Sequence, residues 1–243
     1  MTSTRQADQA YYELFSVSRP FSEHLTKRED NQLRDKYDHN SFFYRGQPTL
    51  EEVRRALEYQ KARGDGFFKL EGYVPLEHSF GMEPDVTLTM VLSDPAAADR
   101  WRSNPDVRIQ KPDYAQLEQL ELRYYGPLYG DDFTVRNNRR LREKLAYHGA
   151  YLGERLVGCC YTCEAGEWVC MDSLLVADDS RRQYVATTLM KSIAAAAHQA
   201  GRTLYLHADQ DDTPKDMYAR MGFVTTDKSY EYTCTDFSTL KLD

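Results

Sequence analysis

The chain has 243 residues and a formal charge of −7 spread over both halves, enough for one large domain or two small ones with a buried core. Neither half is basic, which argues against a nucleic-acid partner, because phosphate contacts dominate such affinity. The mild acidity leans towards a cationic partner instead.

The opening MTSTRQADQA has no charged-then-apolar signal pattern, and no apolar run approaches the roughly 18 residues of a membrane span. A soluble cytoplasmic protein without membrane contact is therefore expected. Residues 1–40 are polar and rich in Tyr, with weak helical patches at Gln6–Phe15 and Ser22–Lys27. Thr49-Leu-Glu-Glu52 reads as a capping box, so Leu50–Arg63 is predicted to be a helix stopped by Gly64. Gly66–Gly72 and Val86–Leu92 read as strands, the second by alternation. Ser93–Pro105, with three alanines and two prolines, reads as a boundary.

Beyond it, Val107–Gln110 reads as a short strand. Asp113 is placed to cap a helix stopped at Gly126. An aromatic, acidic loop, Tyr124–Phe133, and a basic helix around Val135–Leu145 follow. Ala146–Leu152 and Leu156–Cys163 form a hairpin turned by Gly153-Glu154. Trp168–Val176 reads as a strand, Tyr184–Ala200 as a helix stopped by Gly201, and Thr203–His207 as a strand. Pro214–Met221 is a short helix, followed by strands at Phe223–Val224 and Ser229–Phe237.

The strand–helix–strand succession at Val176 implies a local parallel pair. The whole is a mixed, partly parallel α/β sheet flanked by helices. The expected division is a smaller α/β amino-terminal domain at 1–105 and a second domain at 106–243. Of five cysteines, four lie between Cys159 and Cys170. Cys160-Tyr-Thr-Cys163 lacks a second ligand pair for structural zinc, so reduced core thiols and no metal are expected.

The informative segment is Val176-Ala-Asp-Asp-Ser-Arg181-Arg-Gln-Tyr184-Val-Ala186. A turn between a buried strand and a helix presents unpaired N–H groups to an anion. With Met-Tyr218-Ala-Arg-Met-Gly222-Phe223 downstream, it resembles the two sequence blocks of the GNAT superfamily of acetyl-CoA-dependent N-acetyltransferases. The first block, R/Q-x-x-G-x-G/A, matches at Arg181 and Ala186. The second, Tyr-x-x-x-Gly-Phe, matches at Tyr218, Gly222 and Phe223. The resemblance spans residues 106–243. One position departs: Tyr184 stands where the family has a glycine that lets backbone approach the pyrophosphate.

The resemblance implies a GNAT-type sheet and acetyl-CoA as co-substrate, with direct attack of an amine on the thioester. It implies a cofactor site of Leu174, Leu175, Val176, Arg181, Arg182, Gln183, Tyr184, Val185, Ala186 and Thr187. Leu174–Val176 would pair with the pantetheine arm and supply N–H donors to the acetyl oxygen. N–H groups from Arg182 to Thr187, with the helix dipole, would hold phosphate. Tyr218 would protonate the leaving thiolate. Asp172 would act as base, in a buried setting that raises its pKa; it reads equally as a structural carboxylate, and His207, Asp209 and Asp211 compete for the role. The acceptor is expected to be a primary amine of a small molecule or peptide, met by the Tyr124–Phe133 loop. A homodimer is a compatible assembly. A non-catalytic acyl-CoA-binding or regulatory module is the alternative.

Residues 49–92 follow the same order of elements as the carboxyl-terminal half. Helix Leu50–Arg63 with Gly64 parallels Tyr184–Ala200 with Gly201, and Phe80-Gly81-Met82 parallels Met221-Gly222-Phe223. No Arg-x-x-Gly loop is present there and Glu77 takes the tyrosine's place. The amino-terminal half is therefore expected to be a degenerate GNAT-like, structural copy.

Overall fold

The computed structural model describes residues 3–242. In chain order it contains α1 (Thr4–Glu13), β1 (Val17–Pro20), β2 (Leu25–Glu29), β3 (Phe42–Tyr44), α2 (Leu50–Ala62), β4 (Phe68–Gly72) and β5 (Pro84–Leu92). After a 3-10 segment at Pro95–Arg100 come β6 (Val107–Gln110), α3 (Tyr114–Tyr129), α4 (Asp131–Lys144), β7 (Ala146–Leu152), β8 (Arg155–Ala165) and β9 (Trp168–Val176). The chain ends with α5 (Val185–Gln199), β10 (Thr203–Asp209), α6 (Pro214–Arg220) and β11 (Phe223–Cys234). Parallel and antiparallel strands flanked by helices make the expected mixed α/β class.

Three expectations are corrected. Ser22–Lys27 is not helical, because Leu25–Glu29 pairs on both edges, with β1 and with β3. Phe223–Val224 and Ser229–Phe237 are one strand, β11. Gly126 does not stop α3, and Tyr124–Phe133 is not a loop. The helix runs through Gly126 and Pro127 to Tyr129, and the break falls at Gly130, with φ 86°. Gly126 serves clearance instead: a Cβ there would collide with the Asp131 carboxylate in the first turn of α4.

The contacts separate two compact units. One gathers Met1–Asp8, Met90–His207 and Asp216–Val224; the other gathers Gln9–Thr89, Ala208–Lys215 and Thr225–Asp243.

In the first unit the strands run in the order β10-β9-β8-β7-β6, with β10 parallel to β9 and the remaining pairs antiparallel. The parallel pair is the one that the α5 crossover requires. Val185, the first residue of α5, packs against buried Val107, Ala150 and Val157. Gly158 permits this close seating, since a Cβ there would lie 3.0 Å from Val185 and from the Leu175 carbonyl. The basic run of α4 is ion-paired: Arg139 holds Glu118, and Arg142 holds the buried Glu121.

In the second unit the order is β1-β2-β3-β4-β11. Here β3 and β4 are parallel, joined by α2, while β11 runs antiparallel to β4. Thus β3-α2-β4 repeats the connectivity of β9-α5-β10. Both helices are followed by a left-handed glycine, Gly64 at φ 74° and Gly201 at φ 67°. The Thr49 capping box forms as expected, and the Glu52 carboxylate also accepts from Ser22 and His24. The core packs Leu25, Phe42, Val53, Leu57, Phe68 and Leu70. Buried charges are paired: Arg28 meets Glu71 and lies over the Tyr12 ring, and Lys69 meets Asp38 and Glu231.

Candidate active site

The site is built on β9. Its ladder with β8 pairs Tyr161 with Asp172 and Cys159 with Leu175, which leaves an extra residue in β9. That bulge holds Ser173 at φ 52°, a left-handed conformation uncommon outside glycine. The parallel ladder with β10 pairs Trp168 to Met171 and ends there, immediately before the bulge. Ala177 donates to Val157 of β8. By strand alternation, Leu174 and Val176 therefore turn their N–H and C=O groups away from β8, along the edge where β10 has diverged.

Asp172 sits at the bulge. The structure leaves it exposed, which corrects the expectation of a buried setting. The Tyr161 hydroxyl donates to it at 3.0 Å, and the Ser173 N–H also donates. Tyr125 of α3 hydrogen-bonds Ser173. Burial, then the nearby Cys159 and Asp172, pushes its phenol well above the usual tyrosine range, so it stays protonated. Tyr124 accepts from the Asp178 N–H at 2.6 Å.

From Val176 the chain enters a 3-10 turn, Asp178–Ser180, that Arg155 pins: its guanidinium meets both Asp179 oxygens at 2.8 Å and Ser180 at 2.8 Å. Arg181 pairs with Asp178 at 2.9 Å. Both acidic residues of the turn are thus neutralised, and Arg182 is exposed beside them. Arg182 and Tyr184 both have φ 59°. Tyr184, at the N-cap of α5, adopts the left-handed conformation (ψ 21°) that a glycine would take without strain.

The Tyr184 carbonyl accepts from the Thr188 N–H and from the hydroxyls of Thr187 and Thr188. No side chain caps the helix. The N–H groups of Val185, Ala186 and Thr187 precede the first intrahelical bond and point, with the positive end of the dipole, towards the turn. The geometry is that of an anion cradle.

The Ser93–Pro105 segment, read as a boundary, is a strap across this turn. Arg102 donates to the Tyr184 hydroxyl at 2.9 Å, and Asn104 donates to the Gln183 carbonyl at 3.0 Å. The Asn104 N–H reaches the Thr188 hydroxyl at 2.8 Å. Trp101 is buried, donates to the Met221 carbonyl and stacks on Phe223. Tyr218 is buried and meets the same Phe223 edge-on, with centroids 5.9 Å apart. The site residues thus fall into two groups. Asp172, Leu174–Val176 and Arg181–Thr187 are continuous along β9, the turn and α5. Tyr218 belongs to an aromatic cluster joined to them by the strap. The competitor His207 is engaged elsewhere, with Asp8.

Sequence reading missed Trp101, Arg102, Asn104, Arg155, Tyr161 and Ser173, and placed Tyr125 in an acceptor loop rather than on a helix beside Ser173. Only Trp101 carried a signal: a Trp in an expected linker implies burial.

Residues 131–242 match a family model described as the acetyltransferase (GNAT) domain. Over these residues the chain is similar to the GNAT acetyltransferases. Three solved structures share the fold over most of the chain. A functionally unknown conserved protein from Staphylococcus epidermidis shares 18% identity over 91% of this chain and 95% of its own, with a TM-score of 0.74. A GCN5-related N-acetyltransferase from Kribbella flavida shares 13% over 97% of each chain, with a TM-score of 0.67. A tandem GNAT protein from the clavulanic acid biosynthesis pathway shares 15% over 90% of this chain and 78% of its own, with a TM-score of 0.55. No curated protein matches significantly. Among the described residues, no helix is long and apolar enough to cross a membrane.

Proposed function

We propose that this protein is an N-acetyltransferase that moves the acetyl group of acetyl-CoA to a primary amine of a small molecule or peptide. The observation that carries this reading is the uncapped amino terminus of α5, fed by a strand whose edge opens at Leu174–Val176. The Arg182–Thr187 backbone would hold the CoA phosphates and the Leu174–Val176 edge the pantetheine arm. Fixed N–H dipoles suit both, because they need no reorganisation when charge arrives.

The fit to CoA rests on Tyr184. Its backbone takes the left-handed conformation and its phenol is held by Arg102. The substitution therefore preserves the turn that a glycine would form. In the reaction the amine nitrogen bonds to the thioester carbon and the C–S bond breaks. The amine proton passes to Asp172, directly or through water, and Tyr218 protonates the departing thiolate. The corner between α3 and α4, where Leu128 and Tyr129 are exposed, is the proposed acceptor surface.

The test is calorimetric titration with acetyl-CoA, followed by release of free CoA in the presence of a panel of amines. Saturable binding with amine-dependent release supports catalysis. Binding without release for any amine favours the alternative of a regulatory acyl-CoA module, and no binding ends both readings.

A further inference from the structure

The first unit holds a side-chain cluster that acyl transfer does not use. Cys170 of β9 stands beside Tyr205 of β10 in the parallel ladder. His207 follows two residues later, so the three share one face of the sheet. Asp8, in α1, reaches the same face. Its Oδ1 accepts from the Tyr205 hydroxyl at 2.8 Å and lies 3.0 Å from His207 Nε2. Asp8, Cys170 and His207 each present one ligand atom, and these atoms lie within 4.8 Å of one another. The other ring nitrogen, His207 Nδ1, is buried without a hydrogen-bond partner among the described residues. The polar chemistry of the imidazole is therefore directed through Nε2, into the cluster.

We propose that Asp8, Cys170 and His207 form a zinc(II) site that ties α1 to β9 and β10. A mixed carboxylate, thiolate and imidazole set suits borderline-soft zinc better than calcium or magnesium, which prefer oxygen alone. Bonds of about 2.0 Å to nitrogen and oxygen and 2.3 Å to sulfur hold tetrahedral ligand atoms roughly 3.3–3.8 Å apart, within the observed limit. One carboxylate and one thiolate cancel the charge of the ion, so the partly buried site carries no net charge. On binding, the Cys170 S–H bond breaks, sulfur bonds to zinc and the proton leaves to solvent; no electron moves. The fourth position remains open to water or to Cys163, which lies directly opposite Cys170 in the β8–β9 ladder. The consequence is structural, because the ion would add to the packing of Ala7 on Val91 and Tyr205 and to the hydrogen bonds that Asp8 makes with Tyr205 and His207.

The test uses the whole chain, stripped with a chelator and titrated with cobalt(II) and then zinc(II). The expected result is one-to-one binding, visible bands of a tetrahedral cobalt site with thiolate-to-cobalt charge transfer, and a melting temperature that rises with zinc. Cys170→Ser should abolish the charge-transfer band, and both it and His207→Gln should weaken zinc binding about a hundredfold or more. Cys163→Ser should retain the band. Metal-free melting of each variant separates lost ligation from lost folding. The proposal is overturned by absence of saturable binding, by a band that survives Cys170→Ser, or by His207→Gln that melts normally and binds zinc unchanged. The last outcome would leave Asp8, Tyr205 and His207 as a hydrogen-bonded support only.

Discussion

Arg102 donates a 2.9 Å hydrogen bond to the hydroxyl of Tyr184, and its guanidinium lies 5.8 Å from the centre of that ring. The contact holds the phenol on the strap while the Tyr184 backbone stays left-handed at the start of α5. A bulky residue thereby occupies a glycine position without unmaking the turn.

Replacing Tyr184 by Gly should remove left-handed strain of about 1 kcal/mol, offset by the entropy of glycine and by loss of the Arg102 contact. Melting should shift little, and acetyl-CoA should bind at least as tightly. Tenfold weaker binding by calorimetry would instead put the phenol among the groups that contact the ligand. Tyr184→Val, β-branched at the same φ, should lower the melting temperature clearly.

Ala186 lies in the first turn of α5, where a carboxylate is favourable to the helix by about 0.3–1 kcal/mol. Ala186→Glu should therefore fold as well as the parent while repelling a bound phosphate. The expected readout is unchanged or raised thermal stability with acetyl-CoA affinity reduced at least tenfold. Unchanged affinity would remove the helix terminus from the proposed site.

Tyr218→Phe keeps the edge-on packing against Phe223 and deletes only the hydroxyl. If Tyr218 protonates the thiolate, kcat should fall by roughly 10²–10⁴ while acetyl-CoA affinity holds. A kcat within twofold of the parent would leave Tyr218 as packing alone.

Glu52 is mostly buried, which raises its pKa, but hydrogen bonds from Ser22, Thr49 and His24 outweigh burial and bring it down to about 2. A carboxylate depressed from 4.5 contributes stability that is complete above the unfolded value and is lost as pH falls towards 2. The shift corresponds to about 3 kcal/mol. Glu52→Gln should lower stability at neutral pH and flatten the acid limb of a denaturation series between these values. A limb of unchanged slope would assign acid unfolding to other carboxylates.

The elements around the candidate site were legible because their signals are local. Asp113 caps α3 and Gly201 follows α5; each acts within a few residues of where it stands. The failures share one cause. Leu25–Glu29 places Lys27, Arg28 and Glu29 in the interior, which no local pattern of charged residues predicts. Arg28 is satisfied there by Glu71 of β4, and Glu29 by Arg19 of β1 and Arg63 after α2. Gly126 resembled a helix stop because its actual neighbour, the Asp131 carboxylate, is met only once α4 folds back.

By itself the sequence determined the order of strands and helices from β6 to α6, the GNAT resemblance and the turn before α5, because caps, alternation and turn chemistry are properties of short segments. Tertiary structure decided that the strap at Ser93–Pro105 grips that turn, that Tyr184 takes the conformation of a glycine, and that Asp8 meets Cys170 and His207. Those depend on contacts between residues far apart in the chain, where side-chain chemistry is set by what folding brings alongside.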